Sequence, residues 1–515
     1  MADLSGRPPL TDGPADPARP PAETALSGAV PGLLRRTAWA IASVGVSQIV
    51  LVGIGLVGNL LLSRVLTPRD FGIYAIAALV LDRVGPLADL GLHNRLVHDR
   101  DTPTARHYRS VFTLQLGLAV VAFAAIYLLA VPVARVFRLE EDSVDLIRFM
   151  GSIALLVPIE IIPRVQLTRR LAYGRLSVVD LSLALGFQAT AITLAYRGFG
   201  YWSFGFAAMA GVIVRALVLN LLSRWPLGLA WDAAYLKSSL RFGGAFQLST
   251  LTSVPREMVP SVLGGLLFGP TAVGLLNWAY RLAVSCSDTL VAVVSRVAFP
   301  ALSRLRDAPD VFAKVLRRML QYANLFALGA LSVVGALLPE IVEVAFTTRW
   351  MPAVPLFYWY AVRLAGTSYT SVLDFALRAQ GHPKRSLLVL GTWTLMDWLA
   401  AVACALLFGY VGIAASAALW VWVTNVWLYR EVARRTPLRL DRTSLTPWLS
   451  AAVTFGALHL AKGAWVRSWT GLLAGLALGA AIYAAACLSL SGRRFWVELK
   501  NDVKLLRREA PSAAS

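Results

Sequence analysis

Four arginines stand where a charged side chain is hardest to keep. Arg83, Arg256, Arg281 and Arg363 each fall well inside a long apolar segment, and no lysine lies as deep. A charge in hydrocarbon costs at least about 2.5–3.5 kcal/mol on insertion scales, so such a residue normally faces a partner or a watery cavity. Arginine is permanently charged, and its guanidinium forks onto phosphate or carboxylate oxygens. A cavity lined by several of them suits an anion. Carboxylates accompany them: Asp82 and Asp89 near Arg83, Glu257 after Arg256, Asp288 two turns past Arg281, and Asp374 three turns past Arg363. Asp89, Glu257, Asp288 and Asp374 would offset the positive charge or bind a coupling cation. The alternative is internal pairing: Arg83 with Asp82 or Asp89, Arg256 with Glu257, Arg281 with Asp288. Adjacent helical residues point about 100° apart, so Asp82–Arg83 and Arg256–Glu257 are poor pairs within their own helices. Arg215 lies two turns from a span end and within snorkelling reach of the interface. Asp180, Asp397 and Glu160 are placed nearer span ends.

Other chemistry is thinly represented. The phosphate-cradling G-x-x-x-x-G-K-[ST] pattern is absent. The histidines, His93, His98, His107, His382 and His459, join no cysteine and no H-E-x-x-H helix. Cys286, Cys404 and Cys487 all sit in apolar segments and lack metal or disulfide spacing. No cofactor, metal site or catalytic group is expected. The longest loop on the outer face is about 15 residues, too short for a large acidic catalytic loop. Trp278, Tyr280, Trp359, Tyr360, Tyr369, Trp393 and Trp398 crowd several spans. Sugar rings stack on such faces; an interfacial belt is the commoner use and is expected for most of them.

The elements that must position these groups follow from composition. Of 515 residues, 57% are hydrophobic and 15% charged, against about 25% charged in soluble domains. A water-soluble enzyme is excluded, and the pattern is that of an all-α polytopic membrane protein. Apolar spans fall at about 38–63, 70–90, 111–136, 146–163, 177–196, 201–222, 242–268, 271–295, 316–338, 354–377, 386–407, 410–429, 446–462 and 470–490. The first 36 residues, rich in Pro, Ala, Gly and Asp, read as a disordered cytoplasmic tail rather than a signal peptide. The net charge of +20 has a membrane explanation. With fourteen spans, 35 of the 49 Lys and Arg fall on the side shared by the two termini and 9 on the other. The positive-inside rule then puts both termini in the cytoplasm, with Glu140-Glu141-Asp142 outside. Anionic lipid headgroups satisfy the basic face, and no nucleic acid is needed.

Local patterns recur 202–211 residues apart. Pro68 to Gly72 opens the second span and Pro270 to Gly274 the eighth. Val131-Pro132 with Phe137 ends the third, Leu338-Pro339 with Phe346 the ninth. The basic turn 167–175 is matched at 377–385, and Gly198-Phe199 at Gly409-Tyr410. An even offset of six spans gives two like-oriented six-helix lobes around a central cavity. The expected units are a tail (1–36), an N-lobe (37–225), a C-lobe (226–435), two added helices (436–491) and a basic cytoplasmic tail (492–515). Pro255 and Pro260 bend the seventh span and free backbone carbonyls beside Arg256, and Gly243-Gly244 and Gly264-Gly265 bracket it. Such a helix suits a gate.

The stretch Arg64-Val65-Leu66-Thr67-Pro68-Arg69-Asp70-Phe71-Gly72-Ile73-Tyr74 resembles the R-x-L-x-P-x-[DE]-[FY]-G-x-[YW] opening of polysaccharide-export flippases, and Asp89-Leu90-Gly91-Leu92 resembles their D-L-G-[LF]. Gly274 to Leu282, Val297 to Arg304 and Arg378 to Lys384 resemble three further motifs of the same family, so the matches run through both lobes. The family is the oligosaccharide-lipid (Wzx-type) flippases of the multidrug/oligosaccharidyl-lipid/polysaccharide exporter superfamily. One departure stands in the seventh span, where the family often reads R-x-x-D and this chain reads Arg256-Glu257-Met258-Val259. The resemblance implies a two-lobed alternating-access carrier in a bacterial inner membrane. Its substrate would be a polyprenyl-diphosphate-linked oligosaccharide, with Arg83, Arg256, Arg281 and Arg363 as headgroup clamps. Coupling would be to Na+, H+ or the membrane potential, and the partners would be membrane lipids, a polysaccharide polymerase or glycosyltransferases. The rival readings are a cation-coupled multidrug antiporter of the same superfamily and a non-transporting assembly factor.

Overall fold

The computed structural model describes residues 45, 47–99, 103–225, 227–241, 254–306, 308–438 and 442–509. The tail 1–36, Gly243-Gly244 and the first part of the seventh span lie outside them. All regular structure among the described residues is helical.

The spans appear in the expected order. Helix α1 covers Ser47–Val65 and α2 Pro68–Asp89. Thr67 caps α2 in a reciprocal capping box with Asp70, and Pro68 supplies a preset first helical φ without wasting a donor. A short α3, Leu92–His98, precedes α4, Ala105–Val136. The fourth span is broken into α5, Glu141–Gly151, a 3-10 turn at Ser152–Leu156, and α6, Val157–Arg169. Pro158 lacks the N–H that would continue the ladder, and the turn before it tightens. Helices α7, Tyr173–Tyr196, and α8, Trp202–Leu222, complete the N-lobe. After a short helix α9 at 233–241 come α10, Val254–Phe268, α11, Pro270–Arg304, and α12, Pro309–Ala336. The short α13, Leu338–Ala345, leads to α14, Val354–Ala379, α15, Pro383–Phe408, and α16, Tyr410–Ala433. Helices α17, Arg442–Ala461, and α18, Trp469–Glu509, pack on each other and on α12. The sequence reading ended the last span at 490 and followed it with a tail. The helix instead runs on to Glu509, and 41 residues reach about 60 Å, twice the hydrocarbon thickness.

Nine helices among the described residues are long and apolar enough to cross a membrane, and Leu445–Ala461 is a shorter apolar one. The spans outside that set are α2, α10, α11 and α14, the four that carry Arg83, Arg256, Arg281 and Arg363. The burial pattern is inverted in the same sense. On α15, Leu407 is 75% exposed while Asp397, ten residues earlier, is 1% exposed. Apolar side chains face lipid and charge faces protein, as a hydrocarbon solvent demands. Trp278, Tyr360 and Trp393 are likewise buried, so the expected interfacial belt does not account for these three.

The seam between the lobes is α2 against α11. A Cβ on Gly72 would fall 1.7 Å from the carbonyl oxygen of Pro270, and one on Gly274 would fall 1.8 Å from that of Pro68. Only glycine permits this backbone approach. The contact is reciprocal, as two copies related by a twofold axis make, and its residues are those of the 202-residue repeat. Around it the Trp278 indole donates to the Ser63 hydroxyl (3.1 Å), and the Trp350 indole to the Ser63 carbonyl (2.8 Å). Arg64 donates to the carbonyls of Ala345 and Val344 (2.7 Å each). The lobes are therefore joined at the end of the bundle where α2 and α11 begin.

The repeat is visible elsewhere. The turn after α6 holds Leu171 at φ 53°, and the turn after α14 holds Gly381 at φ 85°, 210 positions on. Glu160 of α6 bonds Arg215 of α8, and Thr370 of α14 bonds Asn425 of α16, each member again 210 positions on.

Candidate functional site

Helix α11 divides the charges within the spans into two clusters. Tyr280 and Arg281 are consecutive, so they point about 100° apart and serve different sides. On the seam side, α2 supplies Tyr74, Asp82 and Arg83 to meet Arg281. Asp82 interacts electrostatically with both Arg83 and Arg281, and Tyr74 with Arg281 and Asp82. On the C-lobe side, α10 brings Arg256, α14 brings Tyr360 and Arg363, and α15 brings Trp393 and Asp397. The Arg256 guanidinium lies over the Trp393 ring, 3.9 Å from its centroid, and that of Arg363 lies 5.4 Å from the Tyr280 centroid. Such cation–π contacts offset part of the desolvation of a buried guanidinium. The Tyr280 and Tyr360 rings meet edge to face at 5.3 Å. Asp397 interacts with both Arg256 and Arg363 at longer range. The Trp398 indole donates to the Pro255 carbonyl (3.0 Å) and ties α15 to the start of the bent α10.

None of the four arginines makes a direct ion pair among the described residues, so the internal pairs Arg83–Asp82 and Arg256–Glu257 do not form. Other arginines do pair. Arg215 does not snorkel but grips Glu160 through two bonds, the Nε–Oε1 one at 2.9 Å. Arg164 pairs with Asp180 at 3.0 Å and Arg378 with Asp374 at 2.8 Å. Asp374, expected from sequence to offset the arginines' charge or bind a coupling cation, is bonded to Arg378 and to the Ser386 hydroxyl. Glu257 is exposed beside Arg256. Asp89 and Asp288 lie on α2 and α11, and their side chains are outside the described ones.

The group that sequence reading undervalued is Asp397. It was assigned near a span end, yet it stands midway along the 26-residue α15, one turn from Trp393. That spacing, an aspartate four residues after a tryptophan on an apolar helix, was the available signal. Four buried polar atoms here have no hydrogen-bond partner among the described residues: Arg83 Nε, Tyr360 Oη, Trp393 Nε1 and Asp397 Oδ1. Buried groups are rarely left so, and a cluster of them marks a place where a ligand or water completes the bonding. Three of the four can donate and Asp397 Oδ1 accepts, so the set suits a polar molecule that offers both acceptors and donors.

Residues 61–355, more than half of the chain, match the family model described as "Polysaccharide biosynthesis protein". The lipopolysaccharide biosynthesis protein WzxC of Escherichia coli is 21% identical over 318 residues, covering 60% of this chain and 63% of WzxC. The chain thus spans a little under two thirds of that relative. The succinoglycan biosynthesis transport protein ExoT of Rhizobium meliloti is 23% identical over 471 residues, 88% of this chain and 92% of ExoT. The fold is similar to that of the lipid II flippase MurJ in an inward closed conformation, with a TM-score of 0.69 at 11% identity over 86% of this chain and 97% of MurJ. The chain belongs to the polysaccharide biosynthesis protein family.

Proposed function

We propose that this multi-pass membrane protein moves a polyprenyl-diphosphate-linked oligosaccharide from the cytoplasmic to the outer leaflet of a bacterial inner membrane by alternating access. The observation that carries this reading is the set of four intramembrane guanidinia without ion pairs among the described residues. They lie on helices of both lobes, and two of them, Arg83 and Arg281, both interact with Asp82 at the seam. A lipid diphosphate is a large anion that cannot shed its hydration unaided. Unpaired arginines replace that hydration while the polyprenyl tail stays in lipid. The names of WzxC and ExoT, a lipopolysaccharide biosynthesis protein and a succinoglycan transport protein, support the substrate class.

The lobes then comprise residues 37–225 and 226–435, with both termini cytoplasmic. The lobes part and close around the Gly72–Gly274 crossing, and α10, bent at Pro260, shifts with them. No chemical step is catalysed. With the inside negative, export of two negative charges gains about 4.6 kcal/mol per 100 mV, so the membrane potential helps drive the cycle, alone or with Na+ or H+. Polymerase and glycosyltransferases would act on the same lipid before and after it moves. A cation-extruding multidrug antiporter should line its path with free carboxylates. Here, among the described residues, the deep arginines make no ion pair, Asp374, Asp180 and Glu160 are each taken by an arginine, and the carboxylates left near the deep arginines, Asp82, Glu257 and Asp397, stand beside them as charge balance.

The test is translocation of a polyprenyl-diphosphate oligosaccharide into the outer leaflet of vesicles containing the purified chain. Transport is expected, with slower rates when an ionophore collapses the potential. Vesicles that move cationic drugs and leave the lipid in place would overturn the reading. Unchanged rates without a potential would remove the potential from it.

A further inference from the structure

We infer that the C-lobe cluster is a carbohydrate subsite that holds a sugar of the headgroup while Arg83 and Arg281 at the seam hold the diphosphate. This division rests on the flippase reading above and assigns different parts of one substrate to the two sides of α11.

Charge separates the clusters. Arg256 and Arg363 face Asp397 within the lobe and Glu257 on its exposed flank, so positive and negative groups balance. Among the described side chains at the seam, Arg83 and Arg281 outnumber Asp82. Among the described side chains, the excess positive charge suited to a diphosphate is therefore at the seam.

The unsatisfied atoms specify the rest. Trp393 Nε1 can only donate, an ionised Asp397 Oδ1 can only accept, and Tyr360 Oη does either. These side chains are 4%, 1% and 0% exposed. Phosphate or chloride offers acceptors alone and would leave Asp397 unsatisfied against a second negative charge. A ring bearing hydroxyls both donates and accepts, and its C–H faces pack on aromatic rings, of which Tyr280, Tyr360 and Trp393 supply three.

The experiment compares the affinity of the purified full-length chain, in lipid nanodiscs, for four probes. One is bare polyprenyl diphosphate; the others carry a hexose, an N-acetylhexosamine or a hexuronic acid. Wild type should bind at least one glycosylated lipid at least tenfold more tightly than the bare one. Tyr360→Phe keeps the ring and removes the hydroxyl, and should lower that ratio about threefold to tenfold, the value of one hydrogen bond. Trp393→Phe, a second variant with a different missing donor, should lower it similarly. Arg281→Gln should weaken all four probes by a common factor and leave the ratio intact. If wild type binds the bare lipid as well as the other three, or both aromatic variants keep the ratio, the cluster holds trapped water only and the subsite is wrong. If the chain binds none of the four, the flippase reading itself falls.

Discussion

In the N-lobe, Glu160 and Arg215 close on each other between α6 and α8, whereas the matching crossing in the C-lobe is held by Thr370 and Asn425, which are neutral. The neutral pair meets at 2.8 Å, and Asn425 also donates to the Gly366 carbonyl at 2.8 Å. The crossing therefore needs a polar bond but no charge. Where the chain buries charge to join helices, it buries both signs together. Arg256 and Arg363 of the C-lobe follow another rule. They have aromatic faces beneath them and a shared carboxylate at a distance, yet no side-chain oxygen of the described residues pairs with them directly. Groups left in that state contribute little to helix packing and are the ones proposed above to meet the headgroup.

The comparison breaks most visibly through Glu160. Removing one partner of a buried pair leaves an uncompensated charge, so Glu160→Ala should destabilise by about 3–5 kcal/mol in reversible unfolding in detergent. The double variant Glu160→Thr, Arg215→Asn installs the C-lobe pair and should recover all but about 1–2 kcal/mol. A double variant as unstable as the single one would show that the two crossings are not equivalent.

A smaller stability effect with a larger functional one is expected at Arg363. Arg363→Gln removes a buried charge that has no direct partner, so unfolding should stay within about 1 kcal/mol of wild type. Lipid translocation should fall at least tenfold, a change of about 1.4 kcal/mol in barrier. Stability lost as in Glu160→Ala, with transport kept in the folded fraction, would place Arg363 with the structural charges. Weakest of all should be Arg378→Ala. Its pair with Asp374 is one turn apart on α14 and 40% exposed on the arginine side, so a loss of no more than about 1 kcal/mol is expected in the same assay.

Much of this architecture was legible in the residues. Spans of about 20 apolar residues have little choice of structure in lipid, because only helices satisfy their own backbone there. The Pro68/Pro270 repeat was legible, but the reciprocal Gly72–Gly274 contact was not, because it depends on how the two helices cross. Short helices such as α3, α9 and α13 were not foreseen, because they lie between spans and their apolar runs are too brief for periodicity to register. The four arginines were legible because charge is conspicuous in an apolar segment. Their partners were not, because pairing depends on which neighbouring helix faces them. Asp374 sits on the same helix as Arg363 yet turns to Arg378, while Asp397 reaches the cluster from another helix. Aromatic residues were ambiguous for a similar reason: Trp393 buried under Arg256 and a tryptophan at the membrane surface look alike in sequence.

The most direct measurement is the leaflet in which lipid-linked oligosaccharide accumulates in cells carrying single Arg83→Gln, Arg281→Gln or Arg363→Gln replacements, beside the Glu160→Thr, Arg215→Asn double variant, all at matched expression. The account predicts intermediate trapped on the cytoplasmic side, and surface polymer lost, in the three single variants, with near-normal polymer in the double. Normal polymer in all three singles would contradict it and return these arginines to the scaffold.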